Sequence, residues 1–130
     1  MAEPAARPWN AGIAYALVVF AAGFAFGSLR VMVVEPWLGP AAAVAVELPL
    51  MLGVSWLVAK AVLRRLPVAR QFSPRATMAA VALGVLLAFE IALGLAVGVS
   101  LPAQAEAYLT LRGLLTAVGQ IGFTLIVFLA

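Results

Sequence analysis

Four stretches of this chain, residues 10–34, 41–63, 76–99 and 113–130, carry apolar side chains almost without interruption by charge. Nothing else in the sequence restricts the fold so tightly. Crossing the hydrocarbon core of a bilayer takes about 20 predominantly apolar residues in a helix. The last and shortest stretch reaches roughly 27 Å at a rise of about 1.5 Å per residue, which is still enough. A soluble alternative fails on composition. Of 130 residues, 66% are hydrophobic and 10% charged, whereas soluble domains average about 45–50% and about 25%. So short a chain has too much surface for its volume to hide this much apolar side chain from water. Lipid removes water from the backbone as well, leaving helices or closed barrels as spanning elements. A barrel strand alternates polar and apolar residues, and Ala-Ala-Ala-Val-Ala-Val at 41–46 does not. The expected architecture is all-α: a single domain, residues 1–130, forming a polytopic membrane bundle of four transmembrane helices.

The connections carry their own signals. Glu35-Pro36-Trp37-Leu38-Gly39-Pro40 holds two prolines and a glycine in six residues and predicts a tight turn, with Pro40 suited to the next helix start. Lys60, Arg64, Arg65, Arg70 and Arg75 gather around the loop at 64–75 with no acidic residue among them. By the positive-inside rule this loop is cytoplasmic, both termini are inside, and 35–40 and 100–112 face outward. Arg7 agrees, and Trp9, Trp37 and Tyr108 fall at segment ends, where amphipathic rings favour the interface. The net charge of +3 is thus a topology signal, with anionic lipid headgroups as the secondary use of the loop. Nucleic acid is not an expected partner. A cleaved signal peptide ending at Ala25-Phe26-Gly27 is disfavoured, because the basic n-region is weak and the apolar run continues through 31–34.

Several chemistries are excluded outright. Cysteine and histidine are both absent, which removes disulfides, thiolate metal sites, the commonest general base and any Ser-His-Asp arrangement. No phosphate-binding glycine loop is present. No catalytic residue, cofactor or metal ligand is therefore expected.

What chemistry remains lies inside the membrane. Arg30, Glu47, Glu90 and Gln120 place one polar group in each helix, at depths of roughly 6–8, 9, 14 and 11 Å from the outer ends. Gly23, Gly27 and Arg30 share a stripe, as do Glu90 and Gly94, and Gly113, Thr116, Gln120 and Thr124. Gly23-x-x-x-Gly27 and Gly94-x-x-x-Gly98 match the small-residue spacing of packed membrane helices, so the polar groups are expected to face the bundle interior. Pro49 stands two residues beyond Glu47; it has no N–H to give and predicts a kink with a freed carbonyl at Ala45. Two readings stay open. In one, Arg30 pairs with Glu47 and Glu90 bonds to Gln120 or a threonine, fixing which helices meet. In the other, the four groups form an outward-facing polar site for an ion, a proton or a lipid headgroup, since ionisable groups at this depth point to function by default.

At Gly27-Ser28-Leu29-Arg30-Val31, Glu35-Pro36-Trp37-Leu38-Gly39, Glu47-Leu48-Pro49-Leu50-Met51 and Ser55-Trp56 the chain resembles a group of small, uncharacterised four-helix integral membrane proteins of bacteria. The resemblance covers the first two helices well and the remainder loosely. That group's pattern has a basic residue after the proline, where this chain has Trp37. It implies a multi-pass protein of the bacterial inner membrane and carries no activity, catalytic residue or cofactor with it.

Three function classes follow. The first is a non-enzymatic accessory or self-associating bundle, acting as a homo-oligomer or within a larger membrane complex. The second is a small oligomeric transporter or channel for an ion, proton or small solute, using Glu47 and Glu90. The third is a lipid-acting membrane enzyme, for which no nucleophile–base pair is visible. The topology is directly measurable, because the chain contains no native cysteine. Single cysteines introduced at Arg70 and at Gln104 label with a membrane-impermeant maleimide from opposite sides of the membrane; labelling of both from one side overturns the orientation.

Overall fold

The computed structural model describes residues 7–130, and all regular structure among them is helical. Helix α1 (Pro8–Leu29) runs directly into a π-helical turn (Arg30–Val34) and a last α-turn, α2 (Glu35–Leu38); then come α3 (Pro40–Arg65), α4 (Phe72–Ala96), the short α5 (Leu101–Ala107) and α6 (Leu111–Leu129). Four helical spans, Pro8–Leu38, Pro40–Arg65, Phe72–Ala96 and Leu111–Leu129, are long and apolar enough to cross a membrane. The protein is an all-α membrane bundle of four such helices. The single domain expected from the sequence includes residues 1–6, which lie outside the described residues.

The first connection refines the sequence expectation. The reversal expected over 35–40 falls within that range but is narrower: the chain stays helical to Leu38 and turns at Gly39 alone, with φ at +82°. That left-handed backbone suits glycine, and Pro40 at once occupies the first helical position of α3, where its missing N–H costs nothing. The helix survives Pro36 by widening ahead of it. In a regular α-helix Pro36 would leave the Met32 carbonyl unpaired and press its ring against it. The π-turn resolves this, with the Glu35 N–H donating five residues back to the Arg30 carbonyl. The outer connection at 100–112 also differs from a plain loop. Ser100 caps α5 by accepting from the Ala103 N–H at 3.3 Å, and Thr110 caps α6 by accepting from the Gly113 N–H at 3.1 Å; each satisfies a donor left free at a helix start.

The spans alternate in direction. Helix α1 packs on α4 and α3, and α6 packs on the same two, so α1 and α6 face each other across the diagonal. Though Ala43, Val44 and Gly113 are buried toward the other end, close packing is densest at the end nearest the basic loop. Buried there are Ala11, Tyr15, Ala16 and Val19 of α1, Ala59 and Val62 of α3, Met78, Ala79 and Ala82 of α4, and Phe123, Ile126 and Val127 of α6. Small residues let the backbones approach, which is how helices associate where lipid is as apolar as their side chains. Tyr15 bridges the diagonal: its ring stacks on Phe123 at 4.3 Å between centroids, and its hydroxyl donates to the Phe123 carbonyl at 2.7 Å. Elsewhere large apolar side chains such as Leu57, Ile121 and Leu125 are exposed, as a lipid-facing surface requires.

Gly12 sets the closest approach of α1 to α4. A Cβ built there would lie 2.7 Å from the Met78 carbonyl oxygen, whereas one at Gly84 would meet nothing within 4 Å. Gly12→Ala is therefore expected to destabilise the bundle by about 1–3 kcal/mol through overpacking. Gly84→Ala should be neutral or slightly stabilising, because alanine is the better helix former. Thermal unfolding of the two variants in detergent checks the contrast.

Candidate intramembrane site

Beyond the Tyr15–Phe123 contact the helices surround a cavity of about 810 Å³, with α3 and α6 still close where Leu48 meets Gly119. Its floor is made by Val19, Ser55, Leu86 and Phe123, and its far rim includes Met32, Val97 and Arg112, all three of them exposed. Along α4 the eleven steps from Leu86 to Val97, just past the helix end, correspond to a depth of about 16 Å. The walls are largely apolar, with Phe20, Phe24, Met51, Leu52 and Leu93 among them. Arg30, Glu47, Glu90 and Gln120 all line this one space.

Two polar groupings stand in it. Nearer the mouth, the Arg30 guanidinium forms an ion pair with Glu47 through Nη1, while its Nε faces Glu35 Oε1 at 3.6 Å. The three side chains are 14–22% exposed. The π-turn makes the second contact possible. Five residues along a regular α-helix lead to a position about 140° away around the axis; the wider turn brings Glu35 back toward the side of Arg30. Deeper in, Gln120 Nε2 donates to Glu90 Oε2 at 2.8 Å and lies 2.8 Å from the Tyr108 hydroxyl. Helices α4 and α6 and the segment after α5 are thus tied together through one amide. Glu35 and Tyr108 were not among the residues selected from the sequence. Pro36, six residues beyond Arg30, was the available sign of an irregular turn; Tyr108 carried only an interfacial signal.

The remaining sequence selections fall in different places. Helix α3 runs unbroken through Pro49 from Pro40 to Arg65. Gly23 and Gly27 do not serve helix packing as expected. A Cβ at Gly23 would meet only the Met51 methyl at 3.6 Å, one at Gly27 only the Arg30 guanidinium at 3.9 Å, and both glycines line the cavity. Small-residue spacing brings backbones together only where a second helix supplies a facing surface, and here the cavity lies opposite. The Gly94/Gly98 pattern is corrected too. Gly98 lies past the end of α4 with φ at +89°, and its N–H and that of Val99 donate to the carbonyls of Leu95 and Gly94. This is a Schellman termination, which needs the left-handed residue. Gly94 makes room for the Gln104 side chain, which would approach within 2.6 Å of a Cβ there. Gln104 donates to the Val99 and Ile91 carbonyls, closing the end of α4.

The basic cluster divides likewise. Lys60, Arg64 and Arg65 are exposed at the end of α3, Lys60 lying 4.9 Å over the Trp56 ring. Arg70 and Arg75 are tied down. Arg75, only 6% exposed, donates to the carbonyls of Val127 at 2.7 Å and Val68 at 3.3 Å, and Arg70 to those of Ala130 and Leu129. They satisfy carbonyls at the end of α6, where a cation also complements the helix dipole. Arg75 is therefore not presented to lipid headgroups as expected from the sequence.

Comparison with protein-family models, with curated proteins and with solved structures gives no match. The arrangement itself is a mainly apolar, open-ended cavity with a compensated cation near its mouth and a hydrogen-bonded carboxyl partway down. Its ion pair can be tested by a double-mutant cycle. Removing one partner of a buried pair costs about 3–5 kcal/mol in soluble proteins, because the other charge is left uncompensated. Arg30→Leu, which strands Glu47 and Glu35 together, should destabilise the protein more than Arg30→Leu combined with Glu47→Leu. If unfolding of the double variant shows the sum of the two single losses, the pair does not contribute as argued.

Proposed function

We propose that the protein is a non-enzymatic multi-pass protein of the bacterial inner membrane that binds a small amphipathic molecule in its cavity. The basic loop faces the cytoplasm and the cavity opens on the opposite side. The observation that carries this reading is the cavity's volume with its chemistry. About 810 Å³ falls in the range of small-molecule sites, roughly 300–1,000 Å³, which are typically apolar spaces with a few convergent polar groups. The orientation rests on the exposed Lys60, Arg64 and Arg65, all at the packed end. The resemblance to small bacterial four-helix membrane proteins accords with this location.

A second reading has one observation in its favour. Glu47 and Glu90 both line the cavity, as carboxyl groups of a small oligomeric transporter for an ion, proton or solute would. The floor at Tyr15 and Phe123 is closed by stacked rings, so transport requires that contact to open. Binding requires no such step and is the reading adopted.

Uptake of the neutral fluorophore N-phenyl-1-naphthylamine by the purified protein tests it. Wild type is expected to bind the dye saturably. Gly27→Phe, which places a ring inside the cavity, should abolish binding. Gly84→Phe, on an exposed part of α4 outside the lining, should leave binding unchanged. Equal binding by all three proteins would remove the cavity as the site.

A further inference from the structure

We infer that the guest of this cavity is a hydrophobic cation, held at Glu90 with its apolar body against the aromatic side chains of Phe20, Phe24 and Phe123. The inference rests on the binding function proposed above and names its ligand class. Charge inside the cavity is unevenly compensated. Arg30 is engaged on one side by Glu47 and faced on the other by Glu35, so its charge is already compensated. Glu90 has no basic residue within ion-pair distance among the described residues; Arg30 with Glu47 and with Glu35 are the ion pairs found there. Its Oε2 accepts from Gln120, and its Oε1 has no hydrogen-bond partner among the described residues. The cavity therefore presents one acidic oxygen, below the rim, whose complement is not supplied by the protein.

The alternatives fit less well. An amphipathic anion would find a cation without a carboxylate partner only at Arg112, which is exposed at the rim, and its deeper part would meet Glu47 and Glu90. An uncharged apolar chain would fill the volume but leave the Glu90 oxygen against hydrocarbon, an arrangement that costs free energy. A cation with a large apolar body satisfies the carboxylate in a site where opposite charges interact more strongly than in water. Phenyl faces add cation–π attraction, worth about 0.5–2 kcal/mol depending on desolvation. Three phenylalanines line the same space.

Protons compete with such a guest, because a protonated Glu90 offers no net charge. The groups around Glu90 are few. The π-turn after α1 contributes Arg30 and α3 contributes Glu47, paired with each other, and Glu35 lies on the other side of Arg30. Helix α6 contributes Gln120 and the exposed Arg112, while Glu106 of α5 and Tyr108 beyond it are both exposed. Of these, Glu90 is the carboxyl that lines the cavity without a cationic partner.

The test is calorimetric titration of the full-length protein in detergent with tetraphenylphosphonium, beside the neutral naphthylamine dye. Wild type should bind the cation saturably, with an affinity that falls on acidification as protons compete for the carboxylate, while dye binding stays constant. Glu90→Gln should weaken cation binding about tenfold or more, with cooperative thermal unfolding reporting that the variant is folded. If it does not fold, the wild-type acid titration decides, and a pH-independent cation affinity overturns the inference. Equal cation affinity in wild type and Glu90→Gln overturns it too, as does wild type binding the dye but not the cation; in those cases the binding function stands. Failure of wild type to take up either probe removes the binding function and this inference together.

Discussion

Tyr15 and Phe123 belong to helices that are not neighbours. Their stacked rings and the hydroxyl-to-carbonyl hydrogen bond reach across the diagonal of the bundle, and the rest of the architecture is arranged around that crossing. In lipid, helices gain nothing from hiding apolar surface, so association relies on dispersion, close backbone approach and interhelical hydrogen bonds. On the basic-loop side, Gly12, Ala16, Ala59, Ala79 and Ala82 supply the small surfaces that approach requires. On the other side, glycines still line the interior, but Leu48, Met51, Leu52 and Leu93 stand among them and space is left between the helices. The cavity is the consequence: a bundle packed at one end and wedged open at the other.

The π-turn at Arg30–Val34 has a similar relation between cause and result. Its cause is local, since Pro36 cannot bond back along an α-helix. Its result is tertiary: Glu35 comes round toward Arg30, which already reaches Glu47 on the next helix. A guanidinium inside a membrane protein is costly unless compensated, and here two acidic side chains answer it. Widened turns of this kind occur often at functional sites, and this one borders the cavity mouth. The deeper cluster lacks such compensation: one Glu90 oxygen accepts from the Gln120 amide, and the Tyr108 hydroxyl meets that amide, not the carboxyl.

The parts of the site that were legible in the sequence are those governed by depth. Arg30 and Glu47 sit at similar distances from one short reversal, so an antiparallel hairpin brings them together; Glu90 and Gln120 meet for the same reason across α4 and α6. What depended on direction around a helix was less legible. Gly23 and Gly27 occur at packing spacing yet face empty volume, and Gly98 ends a helix instead of packing one. Spacing along a helix reports which residues share a face, while the presence of a partner opposite that face is set by other segments. Arg75 illustrates the same limit: its charge marks topology in the sequence, and its actual partners are the Val127 carbonyl of α6, fifty-two residues away, and the Val68 carbonyl in the loop before α4, seven away.

From sequence alone followed the solvent, the number of spans and the polar residue each one carries, because these depend on composition and on a length scale imposed by the bilayer. The pairing of the four helices around the ring, the closure of one end by Tyr15 and Phe123 and the volume left at the other came only with the tertiary structure. Those features depend on side-chain volumes summed across helices far apart in the chain, and packing at that range leaves no periodic trace in any single segment.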